Sequence, residues 1–122
     1  MAKPFSLPIK FRIGRNMITA VSEYAKLVIQ FAEMEDTKPG QMFGKSCLKV
    51  NGKAFVSQHR DWLVFKLSGE HHSKALRLDG AELWDPSGRG RPMKEWVAVP
   101  AMAHKHFSSL AQASYEYVAA GA

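Results

Sequence analysis

Five histidines, one cysteine and a scatter of carboxylates are the side chains of this 122-residue sequence that could carry chemistry. His71 and His72 are adjacent, so on a helix they diverge by about 100°. His104 and His106 are two apart and again face different ways. No pair has the i, i+4 spacing of a helical zinc site, and Cys47 has no second thiol to join it. The spacing assigns no metal ligand, and the imidazoles read as surface or partly packed groups. Cys47 lies between Ser46 and Leu48 in a strand pattern. A nucleophile needs a base and an oxyanion site, and commonly sits at an element's end. Cys47 therefore reads as a small, partly buried strand residue. Asp61, Asp79, Glu82 and Asp85 fall at or near turns, where Asp has local reasons to be. Nothing pairs two of them for acid–base work. Ser57 and Ser68 lie in no nucleophile-elbow pattern. These types and spacings select no catalytic residue and no cofactor. A small enzyme would need a pocket of perturbed titratable groups near Cys47, His59 or Asp85.

The basic residues point to a different chemistry. Net charge is +6, which permits contact with nucleic acid without requiring it. Lys3, Lys10, Arg12 and Arg15 stand in the first 15 residues with no anion, while residues 23–36 are net acidic. Lys38, Lys45, Lys49, Lys53, Arg60 and Lys66 then stand against Asp61 alone. The excess falls on an N-terminal arm and on the strands, where a solvated polar face is the ordinary reading. Gly88-Arg89-Gly90-Arg91 is too short for a phosphate loop and opens no helix. Arg89-Gly90-Arg91-Pro92 is similar to the core of an AT-hook, whose extended arginines suit a narrow, electronegative minor groove. Lys94 would add a phosphate contact. The string follows an Asp-Pro-Ser-Gly turn and runs into a strand. A loop whose arginines pair with carboxylates, Asp85 among them, or with backbone carbonyls is the competing and favoured reading. Met42, Phe43, Trp84 and Trp96 near strand ends are core or, alternatively, a partner-binding edge.

The elements that must position these groups centre on residues 42–66. Leu48 and Val50 alternate with Lys45, Cys47 and Lys49, as a strand with one wet face does. Asn51-Gly52 readily takes positive φ at both central positions and predicts a two-residue hairpin. Residues 54–58 return, His59-Arg60-Asp61 turns, and residues 62–67 form a third strand. Before them, Ile18, Val21, Ala25, Val28 and Ala32 recur at helical spacing, beside a second stripe of Tyr24, Leu27, Phe31 and Met34. This wide apolar face predicts a helix packed on the sheet, capped by Asn16 or Ser22 and stopped by Pro39-Gly40. Ser68 predicts the cap of a short helix over residues 69–76. Residues 82–84 and 91–99 read as strands, and Pro100 opens a last helix over residues 101–119. Ala103, Phe107, Leu110, Ala111, Ser114 and Val118 mark its buried face.

The order is α-βββ-α-ββ-α: an α+β fold with an antiparallel sheet of about five strands and helices on one face. Residues 1–15 read as an arm and 16–122 as one domain, since smaller pieces could not hold separate cores. A lone cysteine excludes an internal disulfide. No apolar run approaches the roughly 20 residues of a membrane helix, and the start has no signal-peptide pattern. The expectation is a cytoplasmic protein with no membrane partner.

Met42-Phe43-Gly44, the run from Leu48 to Phe55, and Gly88-Arg89-Gly90-Arg91-Pro92-Met93 with Trp96 and Val99-Pro100 resemble the TfoX N-terminal domain family in order and spacing. The resemblance covers residues 22–118. It implies an antiparallel α+β fold and a link to transcriptional control of competence. It carries over no catalytic residue. The leading expectation is a non-enzymatic binding or regulatory module acting through an unidentified protein partner, as a monomer or a homodimer. The alternative is direct nucleic-acid binding by Arg89, Arg91, Lys94, Lys45, Lys49 and Lys53.

Overall fold

The computed structural model describes residues 18–122. The expected arm and the Asn16 cap lie outside the described residues. Helix α1 spans Ala20–Phe31 and is capped by Thr19, not Ser22. The Thr19 side chain accepts from the Ser22 amide, and Ser22 returns a bond to the Thr19 amide. Serine thus fills the reciprocal place usually taken by Glu or Gln in a capping box. Asp61 of a distant turn accepts from the Ala20 amide at 3.0 Å. That bond satisfies another free donor of the first turn and fixes where the helix starts.

Six antiparallel strands follow. They are β1 (Thr37–Met42), β2 (Lys45–Val50), β3 (Lys53–His59), β4 (Trp62–Lys66), β5 (Glu82–Trp84) and β6 (Met93–Pro100), in the order β1-β2-β3-β4-β6-β5. Helix α2 (Gly69–Leu76) carries the chain from β4 to the far edge, and β6 returns between β4 and β5. A 3₁₀ segment (Ala101–His106) leads into α3 (Phe107–Ala119). The single helix expected from residue 101 is therefore divided, because Ala103 leaves helical geometry. Strand β1 is the one the alternation does not mark. It contains Pro39 and Gly40, which are tolerated because β1 is an edge.

Asn51 and Gly52 take φ of 53° and 79°, the hairpin geometry their types predict. A bulge lies where Leu48 pairs Val56 and Lys49 pairs Ala54, leaving Phe55 extra. The bulge lets Phe55 and Val56 both join the main core. That core lies between the sheet and the helices. Leu27 and Phe31 of α1 and Phe107, Leu110, Ala111 and Val118 of α3 meet Leu48, Val50, Leu63, Phe65, Val97 and Val99. Ser68 stands at the cap position of α2 but makes no side-chain capping bond. Among the described residues no helix is long and apolar enough to cross a membrane.

Candidate functional site

The other sheet face is not the wet face that Lys45, Cys47 and Lys49 predict. Cross-strand partners share a face, so Cys47, Ser57, Val64 and Ala98 form one row across it. All four are buried. Burial pushes the Cys47 thiol up, against an opposing pull from Lys49. Val64 and Ala98 join Trp84 and Trp96 in a second apolar cluster, with Met42, Ala54, Trp62 and Met93 packed against it. Every member comes from a strand.

Trp84 is the centre of this cluster and is fully buried. A second bulge puts it there: Leu83 pairs Val97, but Trp84 pairs Met93. The same irregularity puts Met93 on this cluster, while Val97 and Val99 of the same strand join the main core. The Trp84 indole lies 5.6 Å from the Trp96 ring and 6.1 Å from Phe43, centroid to centroid. Its Nε1–H donates to Nδ1 of His59 at 2.8 Å. Since Nδ1 accepts, the neutral His59 ring carries its proton on Nε2. Burial holds the His59 pKa below its ordinary value, and the charges of Lys45 and Arg60 push it the same way.

Phe43 stands at the rim. It occupies the β1–β2 turn with φ of 54°, followed by Gly44 at 75°. Left-handed backbone is uncommon for any residue but glycine and a strained choice for a bulky one. The ring is nevertheless 61% exposed. The sequence reading placed Phe43 only among bulky groups near strand ends. The available signal was the missing Asn or Asp before Gly44, where a tight turn prefers one.

The six expected contact residues do not converge on one patch. Lys45 and Lys49 share a face with Cys47, and the Lys49 stem lies against Gly40, where an added Cβ would come within 3.1 Å of it. Lys38 pairs directly with Lys49. Lys53 pairs with Val50, a helix-side core residue, at the hairpin's tip. Lys94 is exposed, and its carbonyl meets Nε2 of His72 at 2.7 Å. Arg89 and Arg91 are exposed in the loop between β5 and β6.

Asp85 does not pair with those guanidinium groups. One carboxylate oxygen accepts from the Ser87 hydroxyl at 2.9 Å and the Gly88 amide at 3.0 Å. The other accepts from the amides of Gly90 at 2.8 Å and Arg91 at 3.2 Å. The loop amides, the groups with which a loop holds a phosphate, are thus already bonded to an internal carboxylate. Residual desolvation raises the Asp85 pKa, but the Ser87 hydroxyl and the three amides outweigh it and hold it below its usual value. A group whose folded pKa is depressed supports its structure above the ordinary carboxylate pKa of about 4 and loses that support as pH falls below it. Asp85→Asn should therefore raise tryptic cleavage after Arg89 at neutral pH while global unfolding moves little. In the unmodified protein, acidification below about pH 4 should produce the same local loosening. Equal cleavage rates in both proteins would refute this anchoring role.

A cleft of about 510 Å³ lies beside this loop, lined by His59, Arg60, Trp62, Glu82 and Asp85 among others. Its two perturbed groups are engaged: His59 Nδ1 by the Trp84 indole, Asp85 by its own loop. Neither offers a free basic lone pair to a nucleophile. Among the described residues no group of three or more His, Cys, Asp or Glu side chains could hold a metal ion.

No family model matches the chain, and neither a curated protein nor a solved structure matches it.

Proposed function

We propose that this chain is a small non-enzymatic binding module of the TfoX N-terminal kind, holding a protein partner on the sheet face that no described helix covers, with Phe43 as the anchor. The supporting observation is Phe43 itself, a large apolar ring exposed on strained backbone beside a buried tryptophan cluster. Exposing the ring forgoes burial, and the turn would close more easily on Asn. Local strain of this kind gathers at binding sites. Aromatic and Met side chains are also what partner-binding surfaces enrich. The motifs that resemble the family meet here, since Met42 and Met93 both pack on the cluster that contains Trp96. On this reading the protein works in the cytoplasm, in transcriptional regulation.

The test is capture of partners from the native cell, with and without nuclease, using the parent protein and Phe43→Asn. The variant should hold stability within about 1 kcal/mol, because relieved turn strain offsets the lost contact with Trp84. It should also lose a nuclease-resistant partner. Retention of that partner at full yield would remove Phe43 from the interface.

A second reading, direct nucleic-acid binding, is favoured by the Lys38–Lys49 pair. Like charges directly opposite on a sheet are unfavourable until an anion offsets them. Arg89 and Arg91 add two exposed cations that, among the described residues, make no ion pair. This reading expects affinity that falls steeply with salt and weakens on Arg89→Ala plus Arg91→Ala. No shift with duplex DNA at low salt would end it.

A further inference from the structure

The cleft beside the β5–β6 loop holds charges of both signs that the fold itself leaves unused. Its volume of about 510 Å³ falls in the range of small-ligand sites, about 300–1,000 Å³. One wall is the β3–β4 turn, with His59 and Arg60, and the other carries Glu82 of β5. Strands β4 and β6 lie between these walls in the sheet order. Trp62 of β4 lines the cleft between them, and Pro86 and Pro92 add apolar surface on the loop side. Glu82 pairs with Ala98, which also pairs with Val64. Trp62 is two residues before Val64, so Glu82 and Trp62 stand on the same sheet face.

Arg60 is held in place by its backbone. It is the first of the two residues that turn β3 into β4 and takes φ of 55°, a position where glycine would sit without strain. Gln58 Nε2 donates to the Arg60 carbonyl at 2.6 Å. Asp61, next along the turn, accepts from the Ala20 amide on its carboxylate and from the Ala101 amide on its carbonyl. The turn is thereby tied to α1 and to the 3₁₀ segment. The Arg60 guanidinium, by contrast, makes no ion pair among the described residues. Beside it, His59 gives Nδ1 to the Trp84 indole, so the ring's other nitrogen is a donor, Nε2–H. Asp85 is saturated, because its two oxygens already accept from Ser87, Gly88, Gly90 and Arg91. Glu82 is exposed and makes no ion pair among the described residues, which leaves it as the cleft's free carboxylate.

We infer that this cleft binds a small zwitterion of dipeptide size: its carboxylate meets the Arg60 guanidinium and the His59 Nε2–H, its ammonium meets Glu82, and its apolar side chain lies against Trp62, Pro86 and Pro92. A guanidinium fork matches a carboxylate in shape as well as charge. Neutral His59 adds a donor without adding a second charge, and the Trp84 indole fixes which nitrogen donates. Three strand spacings of about 4.8 Å set the two walls about 14 Å apart at the backbone, and the Arg60 and Glu82 side chains bridge part of that gap. A ligand that reaches both walls must carry its charges at opposite ends. A dipeptide does so, whereas a free amino acid carries both on one carbon. The site does not rest on the protein partner proposed at Phe43; it gives the chain a second ligand, a small molecule.

Titration of the purified chain with glycyl-phenylalanine tests this, followed by NMR through the Trp62 indole N–H, which Trp62→Phe identifies by its loss. That resonance should shift and saturate at roughly millimolar ligand. The N-acetylated dipeptide, the C-terminal amide and free phenylalanine should each bind about tenfold more weakly. Arg60→Gln should weaken the dipeptide about tenfold and abolish the penalty for the amide, while the penalty for acetylation stays. Glu82→Gln should do the reverse. Both substitutions lie at exposed sites, so the folded spectrum should be kept. Met102→Ala, on an exposed residue of the 3₁₀ segment, should leave the affinity unchanged. No shift of the Trp62 resonance at about 20 mM dipeptide overturns the inference. So do blocked dipeptides or free phenylalanine that bind as well as the dipeptide, and so does a pattern of penalties that neither glutamine changes.

Discussion

Trp84→Ala should lower the unfolding free energy by about 3–5 kcal/mol, the range for emptying a fully buried aromatic site. The size follows from what the indole does. It packs against Trp96, Val64 and Ala98 on the sheet face that no described helix covers. Trp84→Phe separates packing from the polar contact. It keeps most of the apolar volume and deletes the bond to His59, at about 1–2 kcal/mol. The pH profile gives a second reading. His59 is held neutral in the folded chain with its pKa lowered, so unfolding raises its proton affinity. The stability linked to this group is complete above the unfolded pKa of about 6.5. It is lost as pH falls from there toward the lowered folded value. Protonation also places a proton on Nδ1, facing the indole N–H that it accepts from. Urea unfolding at about pH 7.5, 6.5 and 5.5 should therefore show a falling midpoint in the parent chain and a flatter trend in Trp84→Phe. The same slope in both would mean that the indole bond does not discriminate between the two states of His59.

How far the sequence reached depended on the range of the interaction. Asn51-Gly52 closes a turn through its own backbone preferences, so its geometry was readable directly. The buried side of α3 followed from spacing alone, and Phe107, Leu110, Ala111, Ser114 and Val118 are all buried. Strand β1 was hidden because Pro39 and Gly40 oppose strand propensity, and only pairing with β2 makes them extended. The tryptophan cluster was hidden for a related reason. Lys45, Cys47 and Lys49 look like a wet face until a residue 37 positions beyond Cys47 is carried over it by a bulge near the far edge. The expected pairing of Asp85 with the loop's arginines does not form: its ligands are the Ser87 hydroxyl and three backbone amides, and amides carry no mark in the residue types. The scatter of the expected contact residues over the sheet has the same cause as the loss of the wet face. Lys53 and Lys49 look equivalent along the chain, yet their pairings with Val50 and Ala54 set them on opposite sides of the sheet.

The sharpest case is α1, where two apolar stripes lie side by side and spacing cannot tell which one the sheet takes. Phe31→Ala should cost about 3–5 kcal/mol, whereas Ile29→Ala, two residues away, should change stability by less than about 0.5 kcal/mol. Phe31 is fully buried, with its ring 5.2 Å from Phe55 edge-on and 5.7 Å from Tyr115. It ties α1 to both β3 and α3. Ile29 is three-quarters exposed and has little burial to lose. Burial on that inner side also moves a neighbour: desolvation, with a smaller push from Cys47, raises the Tyr24 hydroxyl to about 12. The selection between stripes follows from size. Phe55 of the sheet and Tyr115 of α3 present a pair of aromatic rings to α1, and only the Tyr24–Leu27–Phe31 stripe has a ring that meets both. Of the other stripe, Val21, Ala25 and Ala32 stay exposed and Val28 alone packs on the core. Urea unfolding of both variants measures the difference. Comparable losses at Phe31 and Ile29 would mean that Ile29 is buried in the folded chain.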